Sequence, residues 1–361
     1  MKNHTGNMLA TVPLICAAMA TIAGAQEPAA PANPIGNPAP LFLTATNGAT
    51  NYLAVINVRT KETKYVVTGG LGGASGNAGG VAVDGPLAAV VNFGSTNVTI
   101  FVRHGDSMQP TQVIATASKP VSVAFGHNHL VVLGQTTAES FPVHGTDVGK
   151  YADGTVPLLK GDKSAAQIVT FNGGVVYTEK SGSVAELSLS GNGPGGLSGP
   201  NSPVALPPAP NNDTPFGMIA RGANVYLTIA HSDLEALVAN GQIVSTAAGP
   251  TPFRNPAGNI IHAPCWNALY GQFLYSADSP GKQLLRYLVS DTNVFFDKPA
   301  VATLAGPPTD LAVEEHLLGV IDGGDGVTSN ASLFDISPEG ELTLRFAVKI
   351  AGPINGAAIV R

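Results

Sequence analysis

The sequence predicts an all-β protein: a seven-bladed β-propeller of four-stranded blades, closed by a blade shared between the N- and C-termini. Three observations predict it. The 361 residues include 43 Gly and 28 Pro, with 44% hydrophobic and only 12% charged residues. That composition suits many short strands and tight turns around a large core, and leaves little for long solvated helices. A unit of strand, turn, stronger strand, polar loop and strand recurs along the chain, most plainly in PVSVAFGHNHLVVLGQTTAESFPV at 120–143. The two chain ends are complementary halves of that unit.

The apolar cores of the second strands are Leu41–Leu43, Leu87–Val91, Leu130–Leu133, Val175–Tyr177, Val225–Ile229, Phe273–Tyr275 and Leu317–Ile321. Third strands follow at Tyr52–Val58, Val98–Val102, Glu139–Val143, Val184–Leu189, Leu234–Val238, Gln283–Val289 and Ala331–Ile336. First strands start near Gly80, Pro120, Ala165, Pro215, Pro264, Pro308 and Pro353, at spacings of 40, 45, 50, 49, 44 and 45 residues. A period of this size is the mark of propeller blades, and four strands with their turns fill it. Thr111–Thr116, Val204–Pro207 and Leu342–Val348 are expected as outermost strands. The longest insertion, Ser190–Asn212, is rich in Gly, Pro and Ser and is expected as a solvated peripheral excursion.

The ends settle the closure. The first unit opens at a second strand, Leu41, and the chain finishes on a first strand at 353–360. Together they complete one blade, which leaves no open sheet edge around the ring. A β-sandwich or a pair of small barrels would not need complementary half-units.

Residues 1–25 read as a secretory signal peptide. Lys2 precedes an apolar run, Leu14–Ala25, that ends on Ala23-Gly24-Ala25 before Gln26. A run of that length is too short to span a bilayer. Residues 26–40, with five prolines, read as an extended tether before a single propeller domain at 41–361. Cleavage would leave 17 basic and 24 acidic residues, a net charge of −7. That balance argues against nucleic acid or an anionic membrane as partner. The expected protein is a secreted or periplasmic monomer whose partner is a small-molecule ligand or a protein. Cys265 alone would remain, so no intramolecular disulfide forms, and its apolar surroundings suggest a small buried residue.

Residues 69–101, GGLGGASGNAGGVAVDGPLAAVVNFGSTNVTIF, resemble the seven-bladed lactonase-like family, which includes 6-phosphogluconolactonase-like and carboxymuconate-lactonising proteins. Ala74-Ser75-Gly76-Asn77, Val91-Asn92-Phe93-Gly94-Ser95, and Gly271-Gln272-Phe273-Leu274-Tyr275-Ser276-Ala277-Asp278 carry the resemblance. It implies the propeller fold and, as one function, hydrolysis or cycloisomerisation of a sugar lactone or muconate-type substrate. The His-Pro-Asn-Gly turn of that family's enzymes is replaced here by Asn267-Ala268-Leu269-Tyr270-Gly271. The other function is ligand or protein binding at the channel mouth without catalysis.

The first amide, acidic or imidazole side chain after each second strand is Asn47, Asn92, Gln135, Glu179, His231, Asp278 and Asp322. A radial fold brings these positions to one face, and converging polar groups define a ligand-binding hypothesis. Asn and Asp also start turns by bonding nearby backbone. Glu179, His231, Asp278 and Asp322 could hold a divalent cation or do acid/base work. Arg221 and Arg286 could anchor a substrate carboxylate. Asp322-Gly323-Gly324-Asp325-Gly326 lacks calcium-loop spacing and reads as a turn. His127-Asn128-His129 reads as a turn on the opposite face, and His262 and Cys265 lack partners at zinc spacing. The run Gly69–Gly80 matches neither a dinucleotide fingerprint nor a nucleophile elbow. It is expected as a close-approach loop where blades converge.

Overall fold

A computed structural model describes residues 38–190 and 195–361; the signal-like stretch 1–25 and most of the tether lie outside them. The described residues form seven antiparallel sheets, each one blade. Blade 1 contains Leu41–Ala45, Tyr52–Asn57 and Thr63–Val67, and Asn355–Val360 supplies its innermost strand. Leu41 pairs with Val360 and Phe42 with Ile359, so the terminal strand closes the ring as the half-units predicted. Blades 2 to 7 begin at innermost strands Val81–Asp84, Pro120–Gly126, Ala165–Phe171, Pro215–Arg221, Pro264–Tyr270 and Pro308–Glu314. No helix among the described residues is long and apolar enough to cross a membrane.

Second strands lie inside the sheets with both faces covered, so they read as continuous apolar runs rather than alternating ones. Every residue of Leu41–Ala45, Leu87–Asn92 and Leu317–Asp322 is buried. Outermost strands face water on one side and alternate, as in Gln242–Ala248. The core sits between neighbouring blades. Leu41, Leu43 and Leu53 of blade 1 pack on Ala88, Val90 and Phe101 of blade 2. At the other flank, Phe42 and Ile56 meet Ile321 and Leu333 of blade 7. Gly319 faces the Phe42 ring so closely that a Cβ would lie 2.7 Å from it, which requires glycine within an apolar strand.

Two details depart from the sequence pattern. The outermost strand of blade 4 is Leu197–Pro203, inside the stretch expected as an excursion, and not Val204–Pro207. Buried Leu197 anchors it beside Val156 and Leu158. Its prolines are tolerated because an edge strand leaves one row of donors unused. In blade 3 the third strand, Thr137–His144, pairs with two short strands, Asp147–Val148 and Gly154–Pro157.

Candidate functional site

The seven innermost strands line a central cavity of about 390 Å³. Among the described residues, six of the seven pairings between first and second strands slip register near one end. The slips fall at Pro120/Ser122, Ala165/Ile168, Pro215/Met218, Pro264/Trp266, Pro308/Asp310 and opposite Leu43/Ala45. A bulge adds a residue and re-aims its neighbours. Here it releases backbone and side-chain groups at the channel mouth.

The glycine-rich run uses them. The Asn77 side chain donates to the Val121 carbonyl at 2.5 Å, and the Ala78 amide donates to Ala166 O at 3.1 Å. Trp266 Nε1 donates to Asn77 O at 3.0 Å, and the Gly79 amide donates to Asp310 Oδ2 at 3.0 Å. Residues 76–79 thus cross the mouth and join blades 3, 4, 6 and 7. Lys180 Nζ bonds the Gly76 carbonyl and lies over the Phe216 ring; burial lowers its pKa. Gly79 needs its left-handed φ of 65° there, and a Cβ on it would lie 2.9 Å from Ser122 Oγ. The expected close-approach loop is a plug over one end of the channel.

All seven predicted polar positions end or closely follow second strands, and most are bonded within their own surroundings. Asn47 Oδ1 accepts from the amides of Gly73 and Ala74, and its Nδ2 donates to Ala74 O, which pins the root of the plug. Asn92 is fully buried. Its Oδ1 accepts from Asn51 and Thr68, and its Nδ2 donates to Asn97 and Thr99. Glu179 accepts the amides of Lys160 and Gly161. Asp322 accepts Gly324 N at 2.7 Å and Asn330 Nδ2 at 2.8 Å, and burial raises its pKa. Gln135 is half-buried, its backbone N–H donating to Lys119 O. His231 is half-exposed, 2.9 Å from Thr214 Oγ1 and 3.7 Å from Asp213.

Among the described residues, no three His, Cys, Asp or Glu side chains are grouped to hold a metal ion. Glu179, His231, Asp278 and Asp322 therefore do not gather as a cation site. Arg221 bonds Gly271 O, Tyr226 and Asp291, and Arg286 is buried against Asp297, Glu341 and Gly340 O. Both are tied to protein groups. Asp325 caps its turn through the amides of Val327 and Thr328. His127 and Asn128 take left-handed turn conformations, as expected.

Asp278 is different, because it has a partner that sequence spacing does not reveal. His262 Nδ1 donates to Asp278 Oδ2 at 2.8 Å. Gln283 donates to the same oxygen, and the amides of Ala263 and Gly281 donate to Oδ1. The carboxylate is fully buried while the imidazole is 19% exposed. Asp233, beside them, is pushed up to about 7 by burial, with His262 opposing and Asp278 reinforcing the shift. The Cys265 thiol is pushed up to about 12 by burial and by Asp278, so it stays protonated and inert. The only sequence signal for the dyad is positional. Acids that end second strands bind the stretch just before the innermost strand, and His262 lies in that stretch.

No protein-family model and no curated protein sequence matches the chain. Solved structures do. The chain is similar to the periplasmic gluconolactonase PpgL of Pseudomonas aeruginosa, at 15% identity and TM-score 0.66, covering 89% of this chain and 99% of that one. It is also similar to a candidate 6-phosphogluconolactonase of Bacteroides uniformis, at 14% identity and TM-score 0.63, covering 90% and 100%. A functionally unknown protein of Desulfotomaculum acetoxidans matches at 11% identity and TM-score 0.66, covering 90% and 99%. These likenesses show the fold, a seven-bladed propeller.

Proposed function

We propose that this chain is an exported lactonase-like propeller that hydrolyses a sugar lactone or a similar cyclic ester on its plugged face. The observation that carries this reading is the 2.8 Å bond between His262 and Asp278. A buried carboxylate that accepts from Nδ1 fixes the tautomer and leaves Nε2 with its lone pair. Nε2 then takes a proton from water, and the resulting hydroxide adds to the lactone carbonyl. The ring C–O bond breaks, and the imidazolium returns the proton to the departing alkoxide, which yields the open hydroxy acid. Export rests on the signal-like N-terminus and agrees with the periplasmic setting named for the Pseudomonas protein.

A second reading, binding of a ligand or protein without catalysis, is favoured by a different observation. Asn92, Glu179 and Asp322 have committed polar atoms to neighbouring protein groups, which leaves Gln135 and His231 as the more accessible members of the set. One experiment separates the two. The purified chain is assayed on glucono-δ-lactone and on a muconolactone, with and without EDTA, beside H262A and D278N. Turnover that falls about 100-fold or more in both variants supports hydrolysis. Background rates in all three proteins, with calorimetric binding of the same lactones, support the binding reading.

A further inference from the structure

The blade topology assigns every connection to one of two faces. Loops from second to third strands, and those that lead into the next innermost strand, lie on the plugged face; the other turns lie opposite. Charge divides between these faces. Among the described residues, the connections of the plugged face carry the cations Lys119, Lys160, Lys163, Lys180, Arg254 and Lys282, and all but half-buried Lys180 are exposed. The exposed acids there are Asp162, Asp213 and Asp325. On the opposite face acids predominate, among them Asp106, Asp291, Glu315, Glu339 and Glu341. Large apolar side chains divide in the same way. Of those that stand exposed on connections, Leu71, Leu159 and Val327 lie on the plugged face, at 47%, 46% and 75% exposure, and Tyr151 lies opposite. The Leu71 amide donates to Ser95 Oγ at 3.0 Å and the Leu159 amide to the Tyr177 hydroxyl at 2.9 Å, so these two tips are held in place.

We propose that the plugged face docks on an anionic phospholipid bilayer. The overall negative charge, which speaks against such a partner when read from sequence alone, averages two faces of opposite sign, and a bilayer meets only one of them. Lysines close to anionic headgroups are attracted over about a Debye length. Exposed leucine and valine tips on the same face enter the boundary between headgroups and acyl chains. All of these cations but Arg254 are lysines, point charges that suit a field of mobile headgroups better than one oriented carboxylate. Other polyanions match less of the face. Single-stranded nucleic acid stacks its bases on open aromatic rings. Here Lys119, Lys180 and Arg254 lie over Phe93, Phe216 and Phe253, at 5.0, 5.8 and 4.9 Å from the ring centres, and cover them. An acidic polysaccharide would pair the cations and leave Leu71, Leu159 and Val327 in water. The docking does not depend on lactone hydrolysis.

The test is cosedimentation of the full chain with vesicles of phosphatidylethanolamine and phosphatidylglycerol, beside vesicles of phosphatidylcholine, at low and at high salt. Binding to the anionic vesicles should exceed binding to phosphatidylcholine at low salt and should fall as salt is added. The triple variant K119Q/K160Q/K163Q should weaken it by about 100-fold, since each lysine near the surface contributes roughly fivefold. L71S/L159S/V327S should weaken it by about tenfold or more. D106N/E339Q, on the opposite face, should bind as the parent does. All these substitutions are on exposed side chains, and an unchanged Tm confirms that each variant is folded. Equal binding to both kinds of vesicle at low salt would overturn the proposal. So would full binding by K119Q/K160Q/K163Q, which would assign it to the apolar run at 14–25. A third overturning result is full binding by L71S/L159S/V327S together with displacement by a soluble polyuronate, the mark of a polysaccharide surface.

Discussion

The carboxylate of Asp310 accepts the backbone amide of Gly79 at 3.0 Å, joining residues 231 apart in the chain. The same carboxyl group takes the amides of Leu311 and Ala357. One buried side chain therefore ties the plug to blade 7 and to the closing strand. Replacing Asp310 with Ala strands these donors away from water, at about 1–3 kcal/mol for each that finds no new partner. Asp310→Ala is expected to lower stability by at least about 2 kcal/mol and to speed hydrogen exchange at Gly79. Unchanged exchange there would show that the plug does not depend on this bond.

The same residue makes stability depend on pH. Burial pushes the Asp310 carboxyl up to about 7 from 3.8, against the opposing pull of its three amides. The folded chain holds a proton that the unfolded chain has released. Its stabilising contribution is fully present below about pH 3.8 and is lost as pH rises through about 7. Asp233, at about 7, and Glu235, at about 8, act in the same direction. The lowered carboxyls of Asp162 and Glu341 are exposed and act only at acid pH. Tm in metal-free buffer should therefore fall from mildly acid to mildly alkaline pH, and Asp310→Asn should flatten part of that slope. A midpoint that rises over this interval would contradict the assignment.

Alanine substitution at the seven polar positions should divide them. Glu179 is fully buried and holds two loop amides, so Glu179→Ala is expected to cost about 2 kcal/mol or more. Asn92→Ala empties a network with four partners and should behave alike. Gln135→Ala and His231→Ala should stay within about 0.5 kcal/mol. Urea denaturation of the set measures this. An effect of Gln135→Ala on ligand binding without an effect on stability would place function at that residue.

The fold was legible because burial on both faces makes second strands continuous apolar runs, and seven of them recur at one period. Leu41–Leu43 and the terminal first strand could be matched as halves of one blade for the same reason. The outermost strand of blade 4 was not legible, because Gly199, Pro200 and Pro203 have loop composition and only Leu197 marks the edge. The candidate site was less legible. The positions after second strands do face one end, but sequence does not say which side chains turn to backbone and which to one another. His262 lies sixteen residues before Asp278 in an irregular stretch, and no helical or strand period links them. The bulges that bring the plug to Trp266 and Asp310 likewise leave no composition of their own.

Ring closure has its own clamp, and it supplies the last prediction. Arg103, in the third strand of blade 2, is 9% exposed. Its Nη1 donates to Val360 O at 2.9 Å, its Nη2 to Ala39 O at 2.5 Å and its Nε to Gly105 O at 2.8 Å. One guanidinium thus holds the last residue of the closing strand and the residues that lead into Leu41, across 257 positions of sequence. Burial lowers its pKa against the pull of Asp106, yet guanidinium stays charged in proteins. The planar fork reaches three carbonyls at once, which a lysine ammonium on a single stem does not reproduce. Arg103→Ala leaves buried carbonyls unpaired at both chain ends, and about 2–4 kcal/mol should be lost. Arg103→Lys should recover only part of it. The loss should appear first as faster hydrogen exchange along Leu41–Ala45 and Asn355–Val360, with the other blades following only on global unfolding. If Arg103→Ala instead left exchange in those two strands unchanged, closure would rest on the strand pairing and the Phe42, Ile56 and Ile359 packing alone.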